Sequence, residues 1–281
     1  MPESQALVLG GGGVAGIAWI TGVLAGLADA GQDVTGGELI VGTSAGAAVA
    51  AQLGSGLPLD DLFARQAEPA RQAREIAAEL DLEKAGAELA DLTAGLSGAE
   101  ALRRVGSYAL AARTVAEADR RAVIVSRLPA VDWPERRLLL VAVDAASGET
   151  RVFDRDCGVS LVDAVAASCA VPGVWPPVTI DGRRYIDGGV RSSDNADLAA
   201  GAGRIVILSP LGMDSPLPAP MSLASVVTEL RAAGSEVVVI SPDESSSSAI
   251  GLNPLDPATR TPAALAGRAQ GRAALLSAVC S

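Results

Sequence analysis

Three short stretches of the sequence combine glycines with residues that could carry out chemistry. Residues 10–13 are four consecutive glycines that follow an apolar run. Residues 42–46 read Gly-x-Ser-x-Gly, with Ser44 at the centre, and residues 187–189 read Asp-Gly-Gly. A hydroxyl nucleophile, an acid and backbone N–H groups without side chains are the components of a covalent acyl-transfer site. Because the three stretches are far apart in the chain, only the fold can bring them together.

The Gly-x-Ser-x-Gly stretch lies between an apolar run (39–41) and an Ala-rich helical run (45–53). Strand, tight turn and helix in this order predict a nucleophile elbow, with the hydroxyl of Ser44 at the apex and close to a helix N-terminus. Glycines at 42 and 46 fit such a turn because side chains there would clash. The alternative is an ordinary strand–helix turn with an N-capping hydroxyl. The pentapeptide alone does not separate these two interpretations.

The four-glycine stretch also stands between a predicted strand and a predicted helix. Backbone N–H groups at such a helix N-terminus bind negative charge. We therefore predict that Gly11, Gly12 and Gly13 form an oxyanion hole. The loop also matches a dinucleotide-binding pattern, Gly-x-Gly-x-x-Gly, which ends at Gly16. That function requires an acidic residue near the end of the second strand. The second strand runs into residues 41–44, which contain no acid, and this disfavours the nucleotide-binding alternative.

The sequence contains no histidine. This excludes Ser-His-Asp triads, Cys-His dyads and histidine-ligated zinc. A base must then be a carboxylate, Lys, Tyr or Cys. Asp187 is the candidate, because it ends a predicted hairpin strand and is followed by two glycines; the alternative is another turn. A carboxylate base of ordinary pKa predicts that activity falls on the acid side at roughly pH 4–6.

Composition restricts the other function classes. The 281 residues are 49% hydrophobic, enough for a full core, and the formal net charge of -11 disfavours nucleic acid and anionic membrane surfaces as partners. The three cysteines lack metal-binding spacing and are expected to be reduced thiols. No basic segment precedes the first apolar stretch, which its glycines interrupt. We expect a cytoplasmic protein without metal or cofactor, in contact with membranes transiently at most.

Continuous apolar runs predict buried parallel strands covered on both faces. We therefore predict one α/β domain over residues 1–281, with a helical cap or side layer at about 59–121, where apolar residues such as Ile76 and Leu80 have helical spacing. Residues 245–248 are expected to be a polar loop. The predicted strands are 6–9, 39–41, 136–143, 149–153, 204–209, 236–241 and a 178–186 hairpin, and the predicted helices are 17–30, 161–170, 222–233 and 257–279.

These motifs resemble those of the bacterial patatin-like phospholipases. The glycine loop is similar to the family's Gly-Gly-Gly-x-Arg/Lys-Gly motif except at Ala15, where the family has a basic residue. Residues 42–46 match the family's elbow, and residues 187–189 match the motif of its catalytic acid. Shorter similarities are found at residues 167–172 and 175–177, before the acid, and at 195–199, which resembles a stretch common in actinobacterial members.

The resemblance implies a three-layer α/β/α fold with a mainly parallel sheet. It also implies a serine lipid acyl hydrolase, of phospholipase or carboxylesterase type, that uses Ser44 and Asp187 as a dyad and passes through an acyl-enzyme. An acyltransferase with the same dyad remains an alternative. A catalytically weak lipid-binding protein is a second alternative, because Ala15 stands where the family has a basic residue. Trp19 and Trp175 could line an apolar acyl site, although packing is the commoner role for tryptophan. Oligomeric state is not predicted.

Overall fold

The computed structural model describes residues 4–274, which contain one eight-stranded sheet. The strand order is β5-β6-β3-β2-β1-β7-β8, and β4 pairs with β3. Five neighbouring strands, from β3 through β2, β1 and β7 to β8, are parallel; β4, β5 and β6 add antiparallel pairs. The strands are β1 Gln5–Leu9, β2 Leu39–Gly42, β3 Arg137–Asp144, β4 Thr150–Phe153, β5 Val178–Ile180, β6 Arg183–Asp187, β7 Arg204–Leu208 and β8 Glu236–Ile240.

Helices cover both faces of the sheet. Alternate side chains of β1 point to opposite faces, so that Leu7 and Leu9 pack with one set of helices, and Ala6 and Val8 with another. The resulting three layers and mainly parallel sheet confirm the predicted fold class. The helices are α1 Gly13–Asp29, α2 Ala45–Leu53, α3 Leu59–Ala67, α4 Leu82–Leu92, α5 Gly98–Ala111, α6 Glu117–Arg127, α7 Leu161–Ser168, α8 Leu223–Ala232, α9 Glu244–Ile250 and α10 Arg260–Ala273.

Helix α1, which follows the glycine loop, is held in place by α10. The two helices approach so closely that a side-chain carbon at Gly22 would lie 2.2 Å from the Ala264 oxygen, and one at Gly26 would lie 2.2 Å from the Arg268 oxygen. Any larger residue at these positions would force the helices apart. None of the helices within residues 4–274 has the length and apolarity needed to cross a membrane.

The predicted helical region at 59–121 contains α3, α4, α5 and the start of α6, but no helix forms over residues 72–81. Ile76 and Leu80 have helical spacing, yet the backbone there bonds to a distant side chain. The Leu80 N–H donates to Asn253 Oδ1 at 3.2 Å, and Asn253 Nδ2 donates to the Ala78 oxygen at 3.0 Å. These tertiary hydrogen bonds replace the helical ones, so the helical prediction is wrong for this segment.

The polar stretch at 245–248 is a helix, not the predicted loop. Asp243 caps it by accepting from the Ser246 N–H at 2.7 Å, and Ser246 is buried, where its hydroxyl donates to Gln270 at 2.8 Å. The cap and the buried contact outweigh the weak helix propensity of serine. The predicted final helix is confirmed as α10; residues 275–279 of that prediction lie outside the described residues.

A buried ion pair anchors the irregular 72–81 segment. Both carboxylate oxygens of Glu75 accept from Arg127 at 2.7 Å, and Arg120 lies 3.8 Å from the same carboxylate. All three side chains are at most 7% exposed. The Arg120 guanidinium also stacks over the Trp175 ring, 3.9 Å from its centre. One carboxylate therefore interacts with two buried cations.

We expect the substitution Glu75→Gln to destabilise the protein by about 3–5 kcal/mol, because breaking a buried pair leaves uncompensated charge. Thermal unfolding followed by circular dichroism measures the loss. Glu79→Gln, four residues away and exposed, is the matched control and should leave Tm within a degree or two, roughly the size of a surface substitution. Equal melting temperatures for the two variants would contradict this account of the segment.

Candidate active site

Ser44 occupies the tight turn between β2 and α2 with a strained backbone. Its φ is 53° and its ψ is -114°, a conformation that residues other than glycine rarely adopt. The turn is tight because Gly46 packs on the end of β1, where an added side-chain carbon would lie 1.9 Å from the Leu9 oxygen. The Gly46 N–H donates to the Gly10 oxygen at 3.0 Å. This is the geometry of a nucleophile elbow.

Two side chains from the end of α7 hold the strained residue. The Ser44 N–H donates to Ser168 Oγ at 3.0 Å, and the Cys169 thiol donates to the Ser44 oxygen at 3.1 Å. Burial raises the pKa of Cys169 to about 12, so the thiol stays protonated and serves as a donor. Sequence patterns could not assign either residue to the support of Ser44, because the contact of both residues with the turn is purely tertiary.

The glycine loop lies beside Ser44, where an added carbon at Gly11 would be 3.6 Å from the Ser44 Cβ. The Gly11 N–H, however, donates to the Ser193 oxygen at 2.8 Å. The Gly11 N–H is therefore already used in a hydrogen bond within the fold, and the prediction of Gly11 as an oxyanion donor is not supported. The N–H groups of Gly12 and Gly13 donate to no group within residues 4–274.

A further free N–H belongs to Ala45, the residue after the nucleophile, which likewise donates to no described group. Elbow geometry commonly uses this donor, so the motif itself could have indicated it. Helix α1 begins at Gly13 and α2 begins at Ala45, and both positive helix ends therefore lie beside Ser44. Ala15 is fully buried in α1, and its N–H donates to the Pro254 oxygen at 3.0 Å.

Asp187 is the last residue of β6 and its side chain is enclosed. Its N–H donates to the Ala170 oxygen at 3.0 Å, which ties the acid to the end of α7. Carboxylate oxygen Oδ1 accepts from the Gly189 N–H at 2.8 Å. Oxygen Oδ2 is buried and makes no hydrogen bond of normal geometry with a described residue. One oxygen is thus held by the backbone and the other is left for a reacting group.

Burial raises the pKa of Asp187 to about 7. The Gly189 N–H, the nearby Ser44 hydroxyl and the Arg120 guanidinium each oppose this rise, in that order. A carboxyl with a pKa close to neutrality can both accept and return a proton near pH 7. The ordinary carboxylate pKa expected from the sequence is therefore replaced by a perturbed one.

Asn195 connects the elbow to the acid motif. Its Nδ2 donates to the Thr43 hydroxyl at 3.0 Å, to the Gly188 oxygen at 3.2 Å and to the Ser192 oxygen at 2.9 Å. Asn195 is fully buried, and its backbone is in the left-handed region, with φ at 49°. A single amide therefore fixes the residues next to Ser44 and Asp187 relative to each other. The sequence singled out residues 195–199 by resemblance but gave Asn195 no role.

A second buried carboxyl lies behind the glycine loop. Asp194 is fully buried, and its Oδ1 occupies the space beside Gly10, 2.0 Å from where a side-chain carbon there would be. Burial raises its pKa to about 7, although the nearby Ser209 hydroxyl opposes the rise. The carboxyl is therefore mostly neutral below pH 7 and adds little negative charge behind the loop.

A cavity of about 550 Å³ opens onto the site. Its wall includes all three predicted loop residues (Gly11, Gly12 and Gly13), Ser44 and Asp187, so the fold brings every predicted site residue to one place. Helices α4 and α5 and the loops at 211–220 and 254–255 supply a mainly apolar remainder. Neither Trp19 nor Trp175 reaches this cavity: Trp19 is fully buried and donates to Gln270, and Trp175 lies beneath Arg120.

Comparison with known families agrees with this geometry. The model of a family described as "Patatin-like phospholipase" matches residues 7–200, which is well over half of the chain and includes the glycine loop, the elbow and Asp187. The chain belongs to the patatin-like phospholipase family. No significant match is found among curated proteins.

Two solved structures align with most of this chain. VipD from Legionella pneumophila has 13% sequence identity and a TM-score of 0.47, over 96% of this chain and 66% of the VipD chain. The type III effector ExoU has 15% identity and a TM-score of 0.37, over 96% of this chain and 54% of the ExoU chain. This patatin-like chain thus spans only part of the length of either protein.

The perturbed carboxyl predicts the pH dependence of ester hydrolysis. Asp187 must be ionised to accept a proton, so we expect kcat/KM to fall as pH decreases through about 7. Substituting Arg120→Met removes a nearby cation that stabilises the carboxylate, so the midpoint should move to higher pH. Initial rates are measured from about pH 5 to about pH 9, a range set by the stability of the protein. These rates give the midpoints of both proteins.

Arg121→Met is the control for this experiment, because Arg121 is the neighbouring residue but pairs on the surface with Asp163 at 2.7 Å. Its midpoint should equal that of the unmodified chain. A midpoint at pH 4–5, roughly the range of an ordinary carboxylate, would contradict the raised pKa of Asp187.

Proposed function

We propose that this patatin-like protein is a carboxylic ester hydrolase that cleaves lipid acyl esters with a Ser44–Asp187 dyad. The observation that carries the proposal is the shared cavity wall: a strained serine, a buried acid with one uncommitted oxygen and two unbonded glycine N–H groups face one apolar space. Apolar walls with a few convergent polar groups are typical of a site for an apolar substrate.

In the proposed acylation step, Asp187 Oδ2 accepts the hydroxyl proton while Ser44 Oγ attacks the ester carbonyl carbon. The carbonyl oxygen becomes an oxyanion, which accepts hydrogen bonds from the N–H groups of Gly12, Gly13 and Ala45. The positive ends of α1 and α2 add to this stabilisation. The C–O bond to the alcohol then breaks, and Asp187 returns the proton to the departing oxygen.

Deacylation repeats these steps with water. Asp187 accepts a proton from a water molecule, whose oxygen attacks the acyl carbonyl, and the same N–H groups bind the second oxyanion. The bond to Ser44 Oγ breaks, the free acid leaves and Asp187 returns the proton to Ser44. If an alcohol took the place of water, the protein would be an acyltransferase, the alternative drawn from the sequence.

A cytoplasmic location is proposed on chemical grounds. Cys157 and Cys169 are free thiols in the structure, as expected of a reducing compartment. Cys280 lies outside the described residues.

We expect Ser44→Ala to abolish both ester hydrolysis and covalent labelling by a fluorophosphonate, detected by intact mass. Asp187→Asn should lower kcat by about 100-fold or more, because general-base catalysis is lost. Ser107→Ala and Asp181→Asn, both exposed, are the matched controls and should retain activity.

Full activity in both dyad variants would refute the mechanism. Product analysis in the presence of a competing alcohol separates the two reactions: a dominant transesterified product would indicate an acyltransferase.

A further inference from the structure

The charged side chains in the wall of the 550 Å³ cavity are both acidic. They are Glu88, on α4, and Asp187. All lysines and arginines of the chain lie within residues 4–274, since residues 1–3 and 275–281 contain neither type. None of them is part of this wall. The cavity therefore offers apolar side chains, a few hydroxyls and two carboxyls, in a chain whose net charge is -11.

Three cations adjoin wall residues in the chain or in space, and none of them is part of the wall. Arg191 binds both oxygens of Asp197, at 3.0 and 2.7 Å. Arg120 is buried beside Glu75, and the separate cavity that it shares with Ser44 has a volume of about 10 Å³, room for a single water molecule but not for a phosphate group. Lys84, on α4, is exposed and is not part of the wall.

This charge distribution discriminates between ester classes. In a glycerophospholipid the phosphate is only a few atoms from the scissile carbonyl, so it must lie in or near the cavity when the carbonyl reaches Ser44. A phosphate placed there would lose water and meet carboxyls in place of cations, a costly arrangement. An acylglycerol presents only neutral ester and hydroxyl groups next to the same carbonyl, and its acyl chain matches the apolar wall.

We infer that the substrate is a neutral acyl ester of the acylglycerol type and that anionic glycerophospholipids are discriminated against. This inference rests on the proposed function and specifies its substrate class. Glu88 is the specificity-determining residue, because it is an exposed acid of the cavity wall on a helix outside the proposed dyad.

The test compares dioleoylglycerol with dioleoyl phosphatidylglycerol, which have the same acyl chains, in mixed micelles of one neutral detergent. We expect kcat/KM for the diacylglycerol to be higher by about tenfold or more, given the cost of an unpaired buried charge. Equal rates, or faster hydrolysis of the phosphatidylglycerol, would overturn the inference. A low mole fraction of lipid in the neutral detergent keeps the surface charge that phosphatidylglycerol adds to the micelles small.

Glu88→Arg should reduce this preference by about tenfold, because it replaces a repelling charge by a phosphate-binding one. Glu83→Arg changes charge by the same amount on the same helix, but Glu83 is exposed and outside the wall. That control should leave the preference unchanged. A preference that shifts equally in both variants would show that the overall field of the protein, not the cavity, selects the substrate.

Labelling of Ser44 by a neutral fluorophosphonate separates failure of this inference from failure of the proposed function. If Ser44 is labelled and the diacylglycerol is cleaved no faster than the phosphatidylglycerol, the substrate class alone is wrong. If Ser44 is not labelled and neither lipid is cleaved, the proposed function fails, and this inference fails with it.

Discussion

The contact between the elbow and the end of β1 is the constraint on which the site depends. Gly46 lies directly against the Leu9 oxygen, and its N–H binds the Gly10 oxygen. This contact joins the turn that carries Ser44 to the loop that offers free N–H groups. The packing of α1 on α10 then fixes the loop from the other side. The relative position of Ser44 and the free N–H groups is therefore a result of backbone packing, which suits the preorganisation that the proposed mechanism requires.

For Asp187, the stability of the fold and the proposed mechanism favour opposite protonation states. The pKa of Asp187 in the folded protein lies above its value in the unfolded chain. The folded state therefore binds more protons, and its stability decreases as pH rises from about 4 to about 7. Asp194 behaves in the same way. The ionised form of Asp187, which the proposed mechanism requires, is thus the form that folding disfavours, and the Gly189 N–H and Arg120 offset part of this cost.

Sequence patterns predicted the parts of the site that depend on local geometry. Ser44 and Asp187 each follow a strand and are accompanied by glycines, so short-range rules apply to them. The hydrogen bond that the Gly11 N–H donates within the fold was not predictable, because its acceptor, the Ser193 oxygen, is remote in the chain. The same holds for residues 72–81, whose helical pattern is overridden by Asn253, and for the helix at 244–250, which depends on a buried contact with Gln270.

We propose that the N–H groups of Gly12, Gly13 and Ala45 bind the charge that develops when Ser44 is acylated. A crystal structure of the full chain after reaction with a long-chain fluorophosphonate tests this proposal. We expect phosphorus bonded to Ser44 Oγ, a phosphonyl oxygen about 3 Å from the N–H groups of Gly12, Gly13 or Ala45, and the alkyl chain within the apolar cavity. Phosphorus on another residue, or a phosphonyl oxygen directed away from all three N–H groups, would contradict it.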